Sequence, residues 1–249
     1  MDEIIVRRDG AVAVVRLNRP AARNAINAAL AGQLCAAIEG AQDAGAIVVT
    51  GADPAFCAGL DLRELGVERL ADLPRCAAAI AASEVPVIAA VNGPAVTGGL
   101  EVALACDLMV ASERAAFADT HLRVGVYPGP VLVDLPRRVG EAWAREMSLT
   151  GNFVDAETAL RIGLVNHVVP HDQLEPFVME LAQAMACHDR QMVVTMRRDW
   201  AATAASSRED AQRAHDETAR RAGFRDGTGA GIAGHRDAVL ERSRAQRGR

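Results

Sequence analysis

The first half of the chain alternates short apolar runs with segments of helical spacing. Residues 46–50 and 85–91 are almost continuously apolar, which is typical of strands buried on both faces of a sheet. Between residues 24 and 42, large apolar side chains recur every four positions and predict a helix. The same patterns continue with predicted helices at about 68–82 and 98–105 and a third strand at 108–110. Short buried strands that alternate with helices are typical of an α/β fold with a parallel sheet.

The chain begins with a predicted β-hairpin. Apolar runs at residues 4–6 and 12–17 flank the dipeptide Asp9-Gly10. This dipeptide favours a type I′ turn, in which both central residues need a positive φ.

Helical patterns dominate after about residue 140. They predict helices at 140–149, 155–162, 172–187, 190–204, 208–222 and 229–244, with one apolar run at 164–169. The last helices are rich in Ala and Arg and poor in large apolar residues, so we expect them to pack on a neighbouring subunit or on the core. We therefore predict two parts, an α/β core at residues 1–189 and a helical region at 190–249.

Composition narrows the class of protein. The 249 residues carry a net charge of −5, which argues against nucleic acid as the main partner. The five cysteines form no CxxC pair and there is no histidine cluster, so we expect neither disulfides nor a metal site. The N-terminus lacks a signal-peptide pattern, and the longest apolar stretch, 85–106, is interrupted by proline, glycine and charge. We expect a soluble cytoplasmic protein without a membrane partner.

Two glycine-containing loops are candidates for a ligand site. Residues 50–61 (TGADPAFCAGLD) and 92–101 (NGPAVTGGLE) each follow a predicted buried strand. In open α/β sheets, ligands bind beyond the carboxyl ends of the strands. Glycine allows a backbone N–H to approach a ligand, and two such donors can form an oxyanion hole in which each contributes about 3 kcal/mol.

Glu101 lies in the second of these loops. It is the one charged residue between Glu84 and Asp107, and its neighbours predict a buried helix. Burial raises the pKa of a carboxyl group, which suits proton transfer near neutral pH. The alternative is an acidic residue that only complements the helix dipole.

Several segments together resemble the crotonase superfamily, the enoyl-CoA hydratases and isomerases, over essentially the whole chain. They are residues 17–26 (LNRPAARNAI), 55–61 (AFCAGLD), 89–107 (AAVNGPAVTGGLEVALACD), 150–151 (TG) and 159–166 (ALRIGLVN). The resemblance implies a spiral of ββα units with a helical C-terminal region that forms trimers, often paired into hexamers. It also implies an acyl-CoA thioester substrate, an enolate intermediate, and no cofactor beyond the coenzyme A of the substrate.

The resemblance also implies roles for individual residues. The backbone N–H groups of Ala58 and Gly98 would form the oxyanion hole, and Glu101 matches the first catalytic glutamate of the hydratases. The residues expected to bind CoA or the substrate are Ala22, Arg23, Ala25, Gly59, Leu60 and Asp61. A guanidinium suits a CoA phosphate. Because the chain has no lysine, Arg23 or Arg19 must contact any phosphate that binds at the segment 17–26.

One departure from the family falls on the second catalytic group. Hydratases carry a second glutamate in the segment that corresponds here to residues 117–129 (FADTHLRVGVYPG), and this chain has His121 at that position. Imidazole exchanges protons near neutral pH, so His121 is a candidate catalytic residue. It is equally compatible with a wall residue that hydrogen-bonds without transferring protons.

Hydration of a 2-enoyl-CoA is therefore the first functional hypothesis. Double-bond isomerisation and thioester hydrolysis by the same site are alternatives. A protein that binds acyl-CoA without turnover is a further alternative, because the second glutamate is replaced. A relative of the serine proteases is disfavoured, since Thr97 and Gly98 occupy the helix start where a nucleophilic serine would be needed.

Overall fold

The structure, a computed structural model, describes residues 2–63, 73–204 and 206–222. Within these ranges the strands are β1 (Ile4–Asp9), β2 (Val12–Leu17), β3 (Ala46–Gly51), β4 (Val87–Val91), β5 (Ala95–Val96), β6 (Leu108–Ser112), β7 (Ala116–Ala118), β8 (Val154–Asp155) and β9 (His167–Val169). The helices are α1 (Ala28–Glu39), α2 (Leu73–Ala81), α3 (Gly98–Leu104), α4 (Val131–Val139), α5 (Glu141–Thr150), α6 (Ala156–Arg161), α7 (Leu174–Ala186), α8 (Arg190–Thr203) and α9 (Arg208–Arg221).

Among the described residues, the main sheet has six strands in the order β1-β2-β3-β4-β6-β9. The first two strands form the predicted hairpin, and every other neighbouring pair is parallel. The residues of β4 are buried throughout, and those of β3 nearly so. Ile47 and Val49 of β3 face one apolar core, while Val48 faces a second core that α7 covers. Burial on both faces explains why these strands are continuously apolar in sequence.

A second, small sheet makes the chain a spiral. After β4 the chain enters β5 of the small sheet, forms α3 and returns to the main sheet as β6. It then passes to β7 in the small sheet, and later leaves β8 through α6 to reach β9. The repeating unit is thus one strand of each sheet and a helix. This arrangement places the turns after β3 and β4 side by side.

The hairpin turn differs from the predicted type. Asp9 pairs with Val12, so the central turn residues are Gly10 and Ala11. Only Gly10 has a positive φ, of 57°, as in a type II′ turn with glycine at the first central position. The hairpin is therefore confirmed and the type I′ turn is wrong.

Helix α4 is an element that the sequence pattern did not indicate. It contains Pro136, which removes one backbone donor and usually interrupts a helix. Val131 and Leu135 are completely buried, so packing on the core outweighs the cost of the proline. The predicted helix at 229–244 and part of the one at 68–82 lie outside the described residues.

The chain divides into two compact units, residues 1–193 and the part from 194 onward. In the second unit, Ser207 caps the N-terminus of α9, and its side chain accepts a hydrogen bond from the N–H of Asp210 at 3.2 Å. Acidic residues lie in its first turn and Arg220 and Arg221 in its last, which complements the helix dipole. Among the described residues, no helix is both long enough and apolar enough to span a bilayer.

Candidate active site

The two glycine-containing loops lie directly against each other. Cys57 forms a parallel bridge with Ala95, which extends the small sheet into the loop after β3. A side chain at Gly99 would place its Cβ 2.1 Å from the carbonyl oxygen of Cys57. Gly59 has a φ of 93°, and a Cβ there would lie 2.9 Å from the carbonyl oxygen of Val96. Both glycines are therefore required for the close approach of the loops.

Two backbone N–H groups are available where the loops meet. Gly98 opens helix α3, where its N–H has no intrahelical acceptor. Leu60 forms a parallel β-bridge with Ile26. In this bridge the N–H of Ile26 donates to the carbonyl of Gly59, and the N–H of Asp61 donates to the carbonyl of Ile26. The N–H of Leu60 itself therefore points away from Ile26, and no acceptor for it is found among the described residues.

Ala58 is placed differently from the sequence-based expectation. Its N–H donates to the carbonyl oxygen of Arg23 at 3.0 Å. In a regular extended segment, N–H groups two residues apart point to the same side. The left-handed kink at Gly59 interrupts this regularity between Ala58 and Leu60. Of Ala58 and Leu60, Leu60 is therefore the one whose N–H has no acceptor among the described residues.

Glu101 is buried in the first turn of α3, and only 7% of its surface is exposed. Its Oε1 accepts a hydrogen bond from the N–H of Val131 at the start of α4, at 3.2 Å. Burial raises the pKa of this carboxyl, and the negative charge of Asp119 adds to the rise. The N–H groups of Val131 and Gly129 and the charge of His121 oppose it without cancelling it. A carboxyl with a raised pKa can exchange protons near neutral pH.

His121 lies close enough to Glu101 for their charges to interact. It follows β7 at the start of a short 3-10 helix, His121–Val124, and is 5% exposed. Its Nδ1 lies 2.6 Å from Oδ1 of Asp119, which is completely buried. His121 was predicted from the sequence and Asp119 was not, although an acidic residue two positions before a histidine is visible in the segment FADTH.

Thr97 connects the start of α3 to the segment that carries His121. Its Oγ1 lies 2.6 Å from Oγ1 of Thr120, and its N–H donates to the carbonyl of Ala118. Thr97 has a φ of 52°, which is rare for a β-branched residue and costs about 1–3 kcal/mol. Such strain at the residue before Gly98 is characteristic of a functional site.

A buried asparagine fixes residues 19–26, named the CoA loop because they belong to the segment 17–26 that is expected to contact CoA. Asn24 has a φ of 55°, and its amide donates to the carbonyls of Ala52 and Ala55, each at 2.7 Å. Its Oδ1 accepts a hydrogen bond from the N–H of Arg19 at 2.9 Å. Asn24 thus joins the CoA loop to the loop after β3, a role that the sequence analysis did not assign.

The charged residues of this region separate into paired and unpaired groups. Arg19 is paired with Glu3 and with Asp61, at 3.0 and 3.1 Å. Burial favours a higher pKa for Asp61, but the N–H of Arg63 and the guanidinium of Arg19 hold that pKa below its usual range. Arg23 is exposed, and no partner of its guanidinium is found in the described part of the chain. Of the two candidates for a phosphate contact, Arg23 is the available one.

The remaining predicted residues line the same loops. Ala22 is half-buried at the end of a short 3-10 helix, and Ala25 is buried and supplies a carbonyl to Arg19. Gly59 lies between Ala58 and Leu60 in the loop after β3. The structure thus brings Gly59, Leu60, Gly98, Glu101 and His121 together and places Ala22, Arg23 and Ala25 on the adjoining loop.

Comparisons with known proteins identify the family. The family model described as enoyl-CoA hydratase/isomerase matches residues 7–230. The chain belongs to this family. Its fold is the predicted crotonase-like α/β spiral with a helical C-terminal region, and it is a crotonase-type acyl-CoA enzyme, so the resemblance seen in the sequence is confirmed.

Individual members of the enoyl-CoA hydratase/isomerase family support this assignment. The chain is 41% identical to the 2,3-dehydroadipyl-CoA hydratase of Escherichia coli over 76% of its own length and 77% of that protein. A crystal structure of an enoyl-CoA hydratase from Mycobacterium smegmatis superposes with a TM-score of 0.87 at 29% identity, covering 97% of both chains. An enoyl-CoA hydratase structure from Mycobacterium tuberculosis is 44% identical, with a TM-score of 0.74, and covers 86% of this chain and 98% of that one.

Proposed function

We propose that this protein adds water across the α,β double bond of a 2-enoyl-CoA thioester. The observation that carries the proposal is the buried carboxyl of Glu101, which accepts a hydrogen bond from the N–H of Val131. Glu101 lies in the first turn of α3, and this helix begins with the unengaged N–H of Gly98. A proton-transfer group and a carbonyl-binding donor on the same helical turn are what enolate chemistry requires.

The oxyanion hole is assigned to the N–H groups of Leu60 and Gly98. The thioester carbonyl oxygen accepts both hydrogen bonds, and these bonds strengthen as negative charge develops on it. Ala58 was the first candidate for the loop donor. Its N–H is engaged by Arg23, which favours Leu60 for this role.

Glu101 acts on water in the proposed reaction. Its ionised carboxylate accepts a proton from a water molecule while the water oxygen forms a bond to Cβ. The electrons of the double bond move to Cα and the carbonyl oxygen, giving an enolate held by Leu60 and Gly98. A proton delivered to Cα completes the addition, and His121 is the candidate donor. No cofactor beyond the coenzyme A of the substrate takes part.

The CoA portion of the substrate is assigned to the loop of residues 19–26. Arg23 is the exposed guanidinium on this loop and suits a phosphate group. Backbone groups of Ala22 and Ala25 are assigned to the neighbouring part of CoA. Asp61, which is paired with Arg19, is assigned to holding the two loops together rather than to contacting the substrate.

The assembly and location of the protein are also part of the proposal. We infer a homotrimer or a dimer of trimers that works in the cytoplasm on its small-molecule substrate, with residues 190–249 forming the subunit contacts. Exposed apolar side chains, among them Leu149, Phe153 and Trp200, support an assembly larger than the single chain.

A panel of CoA thioesters tests the proposed reaction. Linear, branched and aromatic 2-enoyl-CoA substrates are incubated with the protein, and the products are identified by mass spectrometry. Hydration adds the mass of one water, isomerisation leaves the mass unchanged, and hydrolysis releases free CoA. We expect water addition that is lost in Glu101→Gln and kept in Glu141→Gln, an exposed glutamate paired with Arg145. Binding of acyl-CoA without any product would refute the proposal.

A further inference from the structure

We propose that Asp119 is a positioning residue that holds the imidazole of His121 with a proton on Nδ1 and with Nε2 free to exchange a proton with the substrate Cα. This inference rests on the proposed function and deepens it. It gives the site a second proton-transfer group in place of a second glutamate.

The contact between the two side chains carries the proposal. Nδ1 of His121 lies 2.6 Å from Oδ1 of Asp119, and the backbone N–H of His121 lies 3.4 Å from the same oxygen. Both side chains are almost fully removed from solvent. An ionised carboxylate only accepts hydrogen bonds, so the ring nitrogen facing it must carry the proton. Nε2, which is left over, has no hydrogen-bond partner among the described residues.

Asp119 is built to stay ionised despite its burial. Burial favours a higher pKa for this carboxyl, but the hydrogen bond and charge of His121 and the nearby hydroxyl of Ser148 hold its pKa below the usual range. An ionised carboxylate stabilises the imidazolium form of the ring when it arises.

The protons balance across the reaction. In the hydration direction, water gives one proton to Glu101 and its oxygen to Cβ, and imidazolium His121 gives its Nε2 proton to Cα. His121 is left neutral with Nδ1 still protonated toward Asp119, and Glu101 is left protonated. Transfer of one proton from Glu101 to Nε2 of His121, directly or through water, restores both groups. In the reverse direction, neutral Nε2 accepts the Cα proton.

The nuclear magnetic resonance of the ring proton tests the contact directly. The full chain is prepared with ¹⁵N-labelled histidine, alone and with Asp119→Asn. We expect a strongly deshielded proton on Nδ1 of His121 that disappears in Asp119→Asn and in His121→Gln. It should persist in Asp43→Asn, which removes an exposed carboxylate paired with Arg8.

Kinetics test whether the contact serves catalysis. We expect Asp119→Asn to lower kcat about 10²-fold with KM changed less than about 3-fold, because the substrate-binding loops are untouched. In a His121→Gln background the same substitution should cause little further loss, since Asp119 acts through His121. Thermal unfolding of each variant verifies that the chain is folded.

The outcomes separate this inference from the proposed function. In one outcome, the wild type shows no hydration of enoyl-CoA and yet shows the deshielded Nδ1 proton and a deuterium exchange at Cα that is lost in Asp119→Asn. This result would refute the proposed hydration and support the Asp119–His121 contact. Unchanged kcat in folded Asp119→Asn, or an equal loss with and without His121, overturns the positioning role. Absence of the deshielded Nδ1 proton in the wild type overturns the contact itself.

Discussion

The catalytic role proposed for Glu101 comes with a cost to stability. Its carboxyl is buried next to Asp119, and its pKa is raised above the ordinary value of 4.5. A carboxyl whose pKa is higher in the folded than in the unfolded protein destabilises the fold when it ionises. This cost grows as the pH rises from about 4.5 through the folded-state pKa and is absent at lower pH.

Glu101→Gln is therefore predicted to lower activity and raise stability together. Loss of the proton-transfer group should reduce kcat by about 10²–10⁴-fold. The melting temperature of the variant should exceed that of the wild type at pH 7, and the difference should shrink as the pH approaches 4. Calorimetry across this pH range measures it. A variant that is less stable than the wild type at neutral pH would show that burial does not penalise the ionised carboxyl.

Arg23 provides a second prediction at the level of a single side chain. Arg23→Gln should raise KM for a CoA thioester about 5- to 30-fold with little change in kcat, because a phosphate contact lies far from the reacting bond. The same variant should behave like the wild type with a pantetheine thioester, which lacks the nucleotide phosphates. An equal effect on both substrates would place Arg23 elsewhere than on a phosphate.

The cysteines should differ in reactivity. Burial raises the pKa of the Cys57 thiol to about 12, which leaves almost no thiolate near neutral pH, whereas Cys187 is exposed. Alkylation of the native protein at pH 8 followed by peptide mass spectrometry should modify Cys187 and leave Cys57 intact. Modification of Cys57 before unfolding would show that the loop after β3 opens in solution.

At the scale of elements, the site depends on how closely the turn after β3 approaches the start of α3. Gly59→Ala adds a Cβ 2.9 Å from the carbonyl oxygen of Val96 at a φ of 93°. We expect this change to separate the two oxyanion donors, lowering kcat about 10- to 100-fold and stability by about 1–3 kcal/mol.

Gly32→Ala is the matched control for this prediction. Gly32 lies within α1, and outside the backbone of that helix no atom of the described residues lies within 4 Å of a Cβ added there. Alanine should leave kcat unchanged and stabilise the helix by about 0.5–1 kcal/mol. Full activity of Gly59→Ala, measured alongside this control, would show that the two loops tolerate separation.

The sequence predicted helices and strands well where the pattern of buried positions was regular. The β3 and β4 strands are buried on both faces and read as continuous apolar runs, and α1 shows a regular apolar stripe. Strands β5 and β8, with two residues each, are too short to produce a period. Helix α4 was missed because Pro136 obscures a helix that is stabilised by tertiary packing.

The site was predictable from the sequence only where residue type itself marks it. Glu101 was conspicuous as a single charge in an apolar segment, and the glycines marked the loops. The choice between Ala58 and Leu60 depends on the kink at Gly59 and on the pairing with Ile26, and backbone direction of this kind leaves no mark on residue type. Asp119 was visible in the sequence two positions before His121, but the contact between their side chains became evident only in the structure.

At the scale of the whole molecule, exposed apolar surface predicts association. Met192, Met196 and Trp200 recur every four residues along α8 and are exposed, and Leu149 and Phe153 of the first unit are exposed as well. Sedimentation of the full chain should give a species of three or six times the 26.3 kDa chain mass. A stable monomer at micromolar concentration would contradict this prediction.

The most direct test of the proposed chemistry is hydration carried out in D₂O. The proposed reaction adds oxygen at Cβ and a solvent-derived hydrogen at Cα, with the enolate held by the N–H groups of Leu60 and Gly98. We predict that the wild type yields 3-hydroxyacyl-CoA with one deuterium at Cα and that Glu101→Gln forms this product about 10²–10⁴-fold more slowly. Tight binding of the enoyl-CoA by the wild type, with neither hydration nor deuterium at Cα for any substrate of the panel, would contradict this account.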